Sequence, residues 1–244
     1  MNVTTPRERR RYADRREAGR ALAGHLREFQ GRDDVVVLGL PRGGVPVAFE
    51  VARILQVPFD VTMVRKVGMP GQPGCAVGAV AGEGVFVPDD QLVRWYRIPP
   101  EVVERAARAE EIELERRRRG YRGLRRPVSL KDRVVILVDD GLVTGVTMAA
   151  AAMAVRRLGV SRIIAAVPVA APGRCRTVDF WVDAVVAAFV PDVFQRIAHS
   201  YDIFERTSDE DVAQLLAASG RERRPLRLMP PTSSADPAKI VTAA

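Results

Sequence analysis

Short, dense apolar runs alternate along this chain with longer segments whose apolar residues recur every three or four positions. The runs predict strands over residues 35–40, 59–65, 134–138, 162–169 and 184–189, because a strand covered on both faces carries no polar alternation. The longer segments predict helices over 6–29, 45–56, 89–96, 100–120, 145–158 and 209–217. In the first helix Tyr12, Ala18, Leu22, Leu26 and Phe29 fall at roughly helical spacing among many arginines. In the fourth, Glu111, Glu113 and Glu115 precede Arg116 to Arg119, the order that helix polarity favours. Residues 76–81 and 85–87 predict a β-hairpin closed by Gly82-Glu83-Gly84, and 175–180 a short helical turn. Residues 66–74 (KVGMPGQPG) have no packing signal and predict a mobile loop. Beyond Arg221 the chain is polar, Pro-rich and aperiodic, which predicts a disordered tail over 221–244.

Strands alternating with helices imply an α/β domain over 1–220, with a central, mainly parallel sheet flanked by helices on both faces. Ligands of such sheets bind beyond the carboxyl ends of the strands, where the strand order switches.

At 47% hydrophobic, 244 residues can bury one substantial core. No apolar run is long enough to cross a membrane, and the Arg-rich start has no apolar stretch behind it, so it does not read as a secretory signal. Cys75 and Cys175 form neither a metal spacing nor a disulfide framework, so a cytoplasmic location is expected. The net charge of +8 suits solvated arginine-rich faces, steering of a polyanionic substrate, or nucleic acid. Only 6% of the residues are aromatic and they are not interleaved with the basic ones, which counts against nucleic acid.

The densest chemistry lies in Val134 to Met148. Its apolar run ends in the adjacent carboxylates Asp139 and Asp140, followed by a turn holding Gly141, Val143, Thr144, Gly145 and Thr147, and then an Ala-rich helix. Backbone N–H groups, two hydroxyls and the positive end of a helix suit a phosphate. The acids suit hydroxyls, or a bridging cation, on the same ligand. An ordinary Asp helix cap needs one acid and no pair of threonines. Upstream, Leu38 to Ala48 is a second strand–loop–helix whose Arg42, Gly43 and Gly44 could approach another anion closely.

The segment from Val134 to Met148 resembles the phosphoribosyl-diphosphate (PRPP) motif of type I phosphoribosyltransferases, and the likeness extends from about Tyr12 to Leu216. The resemblance implies that fold, with a small hood contributed by 1–30 and 190–217 and a hairpin with a flexible loop. It implies that Asp139 and Asp140 face the ribose hydroxyls, and that Gly141, Val143, Thr144, Gly145 and Thr147 wrap the 5-phosphate. Val143 and Val146 stand where related bacterial proteins usually carry Ala. Arg42, Gly43, Gly44, Arg65 and Lys66 are implied at the diphosphate, with Asp139, Asp140, Arg42 and Lys66 as the catalytic set. Mg²⁺ is the implied cofactor, bridging ligand oxygens, and a homodimer is compatible with the family. The glutamate common in the family's flexible loop is missing around Gly74 and Cys75.

For the acceptor, residues 190–202 resemble the C-terminal segment of hypoxanthine-guanine enzymes. There Phe194 and Tyr201 would face a base and Asp202 a metal ion. The lysine those enzymes use for a 6-oxopurine is absent from Pro168 to Pro172, so a 6-oxopurine is not expected. Three functions fit: a transferase moving ribose 5-phosphate from PRPP to a nitrogenous base, a non-catalytic PRPP-sensing regulator that binds nucleic acid, and a phosphohydrolase using the same cradle.

Overall fold

The computed structural model describes residues 11–69, 72–82, 84–122, 127–173 and 176–221. Five strands, β1 (Val35–Gly39), β2 (Phe59–Val61), β6 (Val134–Val138), β7 (Arg162–Val169) and β8 (Ala184–Phe189), form a sheet in the order β2-β1-β6-β7-β8, every pair parallel. Three more, β3 (Val64–Met69), β4 (Gln72–Ala81) and β5 (Val85–Pro88), form an antiparallel sheet beside it. The helices are α1 (Arg15–Ala23), α2 (Gly44–Leu55), α3 (Asp90–Trp95), α4 (Pro100–Arg122), α5 (Val146–Arg156), α6 (Arg176–Asp179) and α7 (Asp209–Arg221).

Alternation along the parallel strands divides the core. Val35, Val37, Val134, Ile136, Val138 and Ile164 pack on one face with α2 and α7, whereas Val36, Leu38, Val135, Leu137 and Ile163 pack on the other with α5. Ala149 to Ala152 are wholly buried, so the small side chains of α5 let that helix lie close to the sheet. The chain leaves β1 toward β2 on one side and returns at β6 on the other. The switch in strand order therefore falls between β1 and β6, which run in register from Val35/Val134 to Gly39/Val138.

Several expectations are corrected. The N-terminal helix begins at Arg15, because Asp14 is extended and its side chain accepts the Glu17 N–H, ending any helix before it; residues 6–10 lie outside the described ones. After Ala23 only a 3₁₀ turn, Arg27–Phe29, continues inward. The strand expected over 59–65 splits into β2 and β3, which belong to different sheets. The loop expected over 66–74 is mostly a hairpin: β3 runs to Met69 and β4 starts at Gln72, with a register shift around Gly68. Val64 and Val67 bury there while Lys66 and Gly68 face out, a pattern too short and glycine-rich to register as a strand. Helix α7 runs four residues further than expected, to Arg221; residues 222–244, where a disordered tail was expected, lie outside the described ones, as do Cys175 and residue 83. Among the described residues no helix is long and apolar enough to cross a membrane.

Ile136 is fully buried in the central strand. Ile136→Ala should cost about 2–5 kcal/mol of stability in urea denaturation, with an unchanged denaturant slope.

Candidate active site

Two helices start at the switch point, and both are bare. α2 and α5 have glycine N-caps, Gly43 and Gly145, with no side-chain cap and no acid in the first turn. Other α-helix starts are satisfied: Asp14 caps α1, Asp89 caps α3, and α7 opens with Asp209, Glu210 and Asp211. An uncapped helix start attracts an anion, although at α2 the Gly44 and Val45 N–H groups already donate to the Leu40 and Arg42 carbonyls and Pro46 has no N–H, so that start offers its dipole and not free donors. Gly145 lies at φ +76°, a left-handed conformation that aligns the cradle with α5 and that a side chain would strain.

The two loops meet without room for β-carbons. A Cβ on Gly43 would lie 2.1 Å from Asp140 Oδ2, and one on Gly44 would lie 2.5 Å from the Val138 carbonyl oxygen. The Arg42–Gly44 loop and the acid pair are thus in contact, and the Pro41–Arg42 peptide of that loop is cis. The cradle is stitched down from behind. Leu142 N–H donates to the Val169 carbonyl at 2.9 Å, Ala171 N–H donates to the Leu142 carbonyl at 2.7 Å, and Gly141 backs onto Ile197. Val143 and Thr144 are exposed at the tip of this loop, Val146 is buried beneath it, and Thr147 is half-buried in the first turn of α5.

The two acids are held differently. Asp139 is enclosed by protein but open on one side; its Oδ1 accepts the Asp140 N–H at 2.8 Å. Burial, then the neighbouring Asp140 charge, push its carboxyl well above the ordinary carboxylate range, and the nearby Lys66 charge partly opposes this. Asp140 is paired with Arg15, whose Nε and Nη2 donate to Oδ2 at 2.9 and 2.8 Å. The Tyr201 hydroxyl donates to the Asp140 carbonyl at 2.6 Å, and burial and the Asp140 charge hold that phenol above its ordinary range.

Asp139, Asp140, Arg42, Gly43, Gly44, Lys66 and the cradle from Gly141 to Thr147 therefore gather at one sheet edge. Arg42 Nη1 lies 3.5 Å from Asp209, which also accepts the Tyr121 hydroxyl at 2.5 Å, so Arg42 is tethered to α7. Four residues expected at the ligand are engaged by protein partners. Arg65 pairs with Glu110 and Glu113 of α4. Tyr201 is 1% exposed and supports the acid pair from behind instead of facing a base. Phe194 packs into the small core of Tyr12, Ala18, Val169 and Tyr201. Asp202 is exposed and pairs with Arg11 at 3.1 Å, and among the described residues no group of three or more His, Cys, Asp or Glu could hold a metal ion. Nothing in the sequence singles out Arg15, Asp209 or Ile197, and Arg15 is one of 38 basic residues.

The fold is a five-stranded parallel sheet flanked by helices, as the alternation of strands and helices in the sequence leads one to expect. The chain belongs to the phosphoribosyl transferase domain family, whose pattern matches residues 11–195. It is 40% identical over 211 residues, 86% of its length and 47% of theirs, to proteins from two strains of Mycobacterium tuberculosis (CDC 1551 / Oshkosh and H37Rv) that carry the provisional name phosphoribosyl transferase. The chain thus spans about half the length of these curated relatives. A crystal structure of a protein from Thermus thermophilus matches with a TM-score of 0.69 at 42% identity, covering 85% of this chain and 98% of that one.

An acid whose folded-state pKa is raised binds its proton more tightly in the native state. The stability it lends is complete below 3.8, the ordinary aspartate value, and is lost as pH rises through the raised one. Asp139→Asn removes this loss. The melting temperature of Asp139→Asn minus that of the parent protein should therefore grow between about pH 5 and about pH 8. A difference that is flat or shrinks would show that Asp139 is ionised throughout.

Proposed function

We propose that the protein is a Mg²⁺-dependent phosphoribosyltransferase that moves ribose 5-phosphate from PRPP to a nitrogenous base and releases diphosphate. One observation carries this reading: an acid pair lies between two α-helix starts that have neither a side-chain cap nor an acidic first turn. A ligand matching that arrangement carries two anionic groups with hydroxyls between them, as PRPP does.

Under this reading Asp139 and Asp140 accept hydrogen bonds from the ribose hydroxyls. Gly141 to Thr147, with the start of α5, take the 5-phosphate. Gly43 and Gly44, with the start of α2, take the diphosphate, with Arg42 and Lys66 adding positive charge. The C1–O bond breaks, its electron pair leaves on diphosphate, a ring nitrogen forms the new bond to C1, and the proton of that nitrogen passes to solvent. The protein's part is positioning and neutralisation of the leaving group's charge, so no protein nucleophile is needed. Magnesium, when bound, neutralises diphosphate oxygens; the free carboxylate oxygens of the acid pair suit it best through ligand hydroxyls, since no described cluster could enclose it. A charged sugar phosphate of this kind is met in water, and we place the protein in the cytoplasm.

Incubation with PRPP, Mg²⁺ and a panel of bases should release diphosphate, and Arg42→Ala should slow release by about 10²–10³-fold. PRPP binding without release across the panel would favour the sensing role, and absence of PRPP binding would remove both. Gly43→Ala should abolish PRPP binding in calorimetry, because its Cβ has no space beside Asp140.

A further inference from the structure

Every polar group of Asp140 but one is occupied. Its N–H donates to Asp139 Oδ1, its carbonyl accepts the Tyr201 hydroxyl, and its Oδ2 takes two donors from Arg15. Oδ1 alone has no partner among the described residues. The Arg15 guanidinium is equally committed: beyond its bonds to Oδ2, Nη1 donates to the Glu205 carbonyl at 2.6 Å, and its centre lies 3.9 Å above the ring of Phe204. Only 12% of the Arg15 side chain and 14% of that of Asp140 remain exposed. A guanidinium fixed on three sides is not a free cation for an incoming anion, so whatever it does, it does through Asp140.

Its backbone is fixed as well. Arg15 opens α1 directly after the Asp14 cap, and the segment before it is zipped to residues 200–203. Tyr12 N–H donates to the Ser200 carbonyl, Asp202 N–H to the Tyr12 carbonyl and Ile203 N–H to the Ala13 carbonyl. The two chain segments that meet here reach the sheet edge at Asp140. The diphosphate-side loop backs onto the same point, since a Cβ on Gly43 would lie 3.2 Å from Arg15 Nη2.

We propose that Arg15 is a positioning residue: anchored by the Phe204 ring and the Glu205 carbonyl, its guanidinium holds Asp140 Oδ2 and leaves Oδ1 as the oxygen offered to a ribose hydroxyl. The inference rests on the PRPP reading above. It separates ribose recognition, which depends on Arg15, from phosphate recognition in the Gly141–Thr147 cradle, which does not.

The test is calorimetric titration of the full chain, and of Arg15→Lys, Arg15→Gln and Phe204→Leu, with PRPP, ribose 5-phosphate and inorganic phosphate. Arg15→Gln should weaken ribose 5-phosphate and PRPP at least about tenfold, the worth of one hydrogen bond to a charged group, while inorganic phosphate binds as before. Arg15→Lys should lose less, because an ammonium can still meet Oδ2. A purely structural role would weaken all three ligands together, and that result overturns the inference, as does an unchanged ratio of ribose 5-phosphate to phosphate affinity. Should Arg15→Gln not fold, the same ratio is read in Arg15→Lys and Phe204→Leu, and no change in either overturns it. A parent protein that binds phosphate but neither sugar phosphate brings down the PRPP reading and this inference together. Normal PRPP binding by parent and variants alike removes the inference alone.

Discussion

Gly43 and Gly44 have no room for β-carbons, and the rest of the site is arranged around that close approach. Parallel, in-register pairing of β1 with β6 ends both strands at the same level, so the loops that follow them must share one space. Only bare backbone lets them do so. The start of α2 then lies against Asp139 and Asp140, while the start of α5 lies just beyond the cradle. The dipole of α2 already faces the acid pair, whereas the start of α5 has no side-chain cap and no acid in its first turn to oppose its positive end.

That same closeness makes the acid pair costly to keep. Two buried carboxylates side by side do not both stay ionised without compensation. The compensation is unequal. Asp140 receives the guanidinium of Arg15 directly, whereas Asp139 feels Lys66 and Arg15 only through space, and burial beside Asp140 raises its carboxyl above the ordinary range. Arg42 is tethered too: it leans on Asp209, which Arg117 and Tyr121 also approach. α4 therefore links the start of α7 to β3, where Glu110 and Glu113 hold Arg65.

What could be read in the sequence was local. Val134 to Thr147 announces a buried strand, an acid pair and an anion loop within one short stretch of chain, and Leu38 to Gly44 repeats the scheme. The strands of the parallel sheet were legible for the same reason, since burial on both faces leaves an unbroken apolar signature. The β3–β4 hairpin was not, because its glycines and prolines mask a short alternation that becomes a strand only when packed between α4 and α5. Arg15 and Asp140 lie 125 positions apart, and Tyr201 lies 61 from Asp140. No spacing rule distinguishes Arg15 within an arginine-rich helix, nor separates a tyrosine that supports a carboxylate from one that stacks on a base.

Under the PRPP reading, the tertiary contacts also explain why the donor half of the site is better defined than the acceptor half. Residues 190–205 hold the aromatic and acidic groups that could read a base, yet most are already in use. Tyr201 holds the Asp140 carbonyl, Phe204 underlies Arg15, Asp202 pairs with Arg11, and Phe194 fills a small core. Side chains spent on bracing Asp140 and Arg15 are not available to discriminate acceptors by hydrogen bonding. Three large apolar side chains stay exposed in these loops, Val143 at the cradle's tip, Val193 in the segment that leads to Phe194, and Ile203. An acceptor meeting such a surface is selected by shape and by backbone groups, and a pocket built from apolar contacts separates close analogues by only about 10–200-fold. Under the PRPP reading, a strict donor requirement and a permissive acceptor requirement follow from the same use of the hood to brace the acid pair.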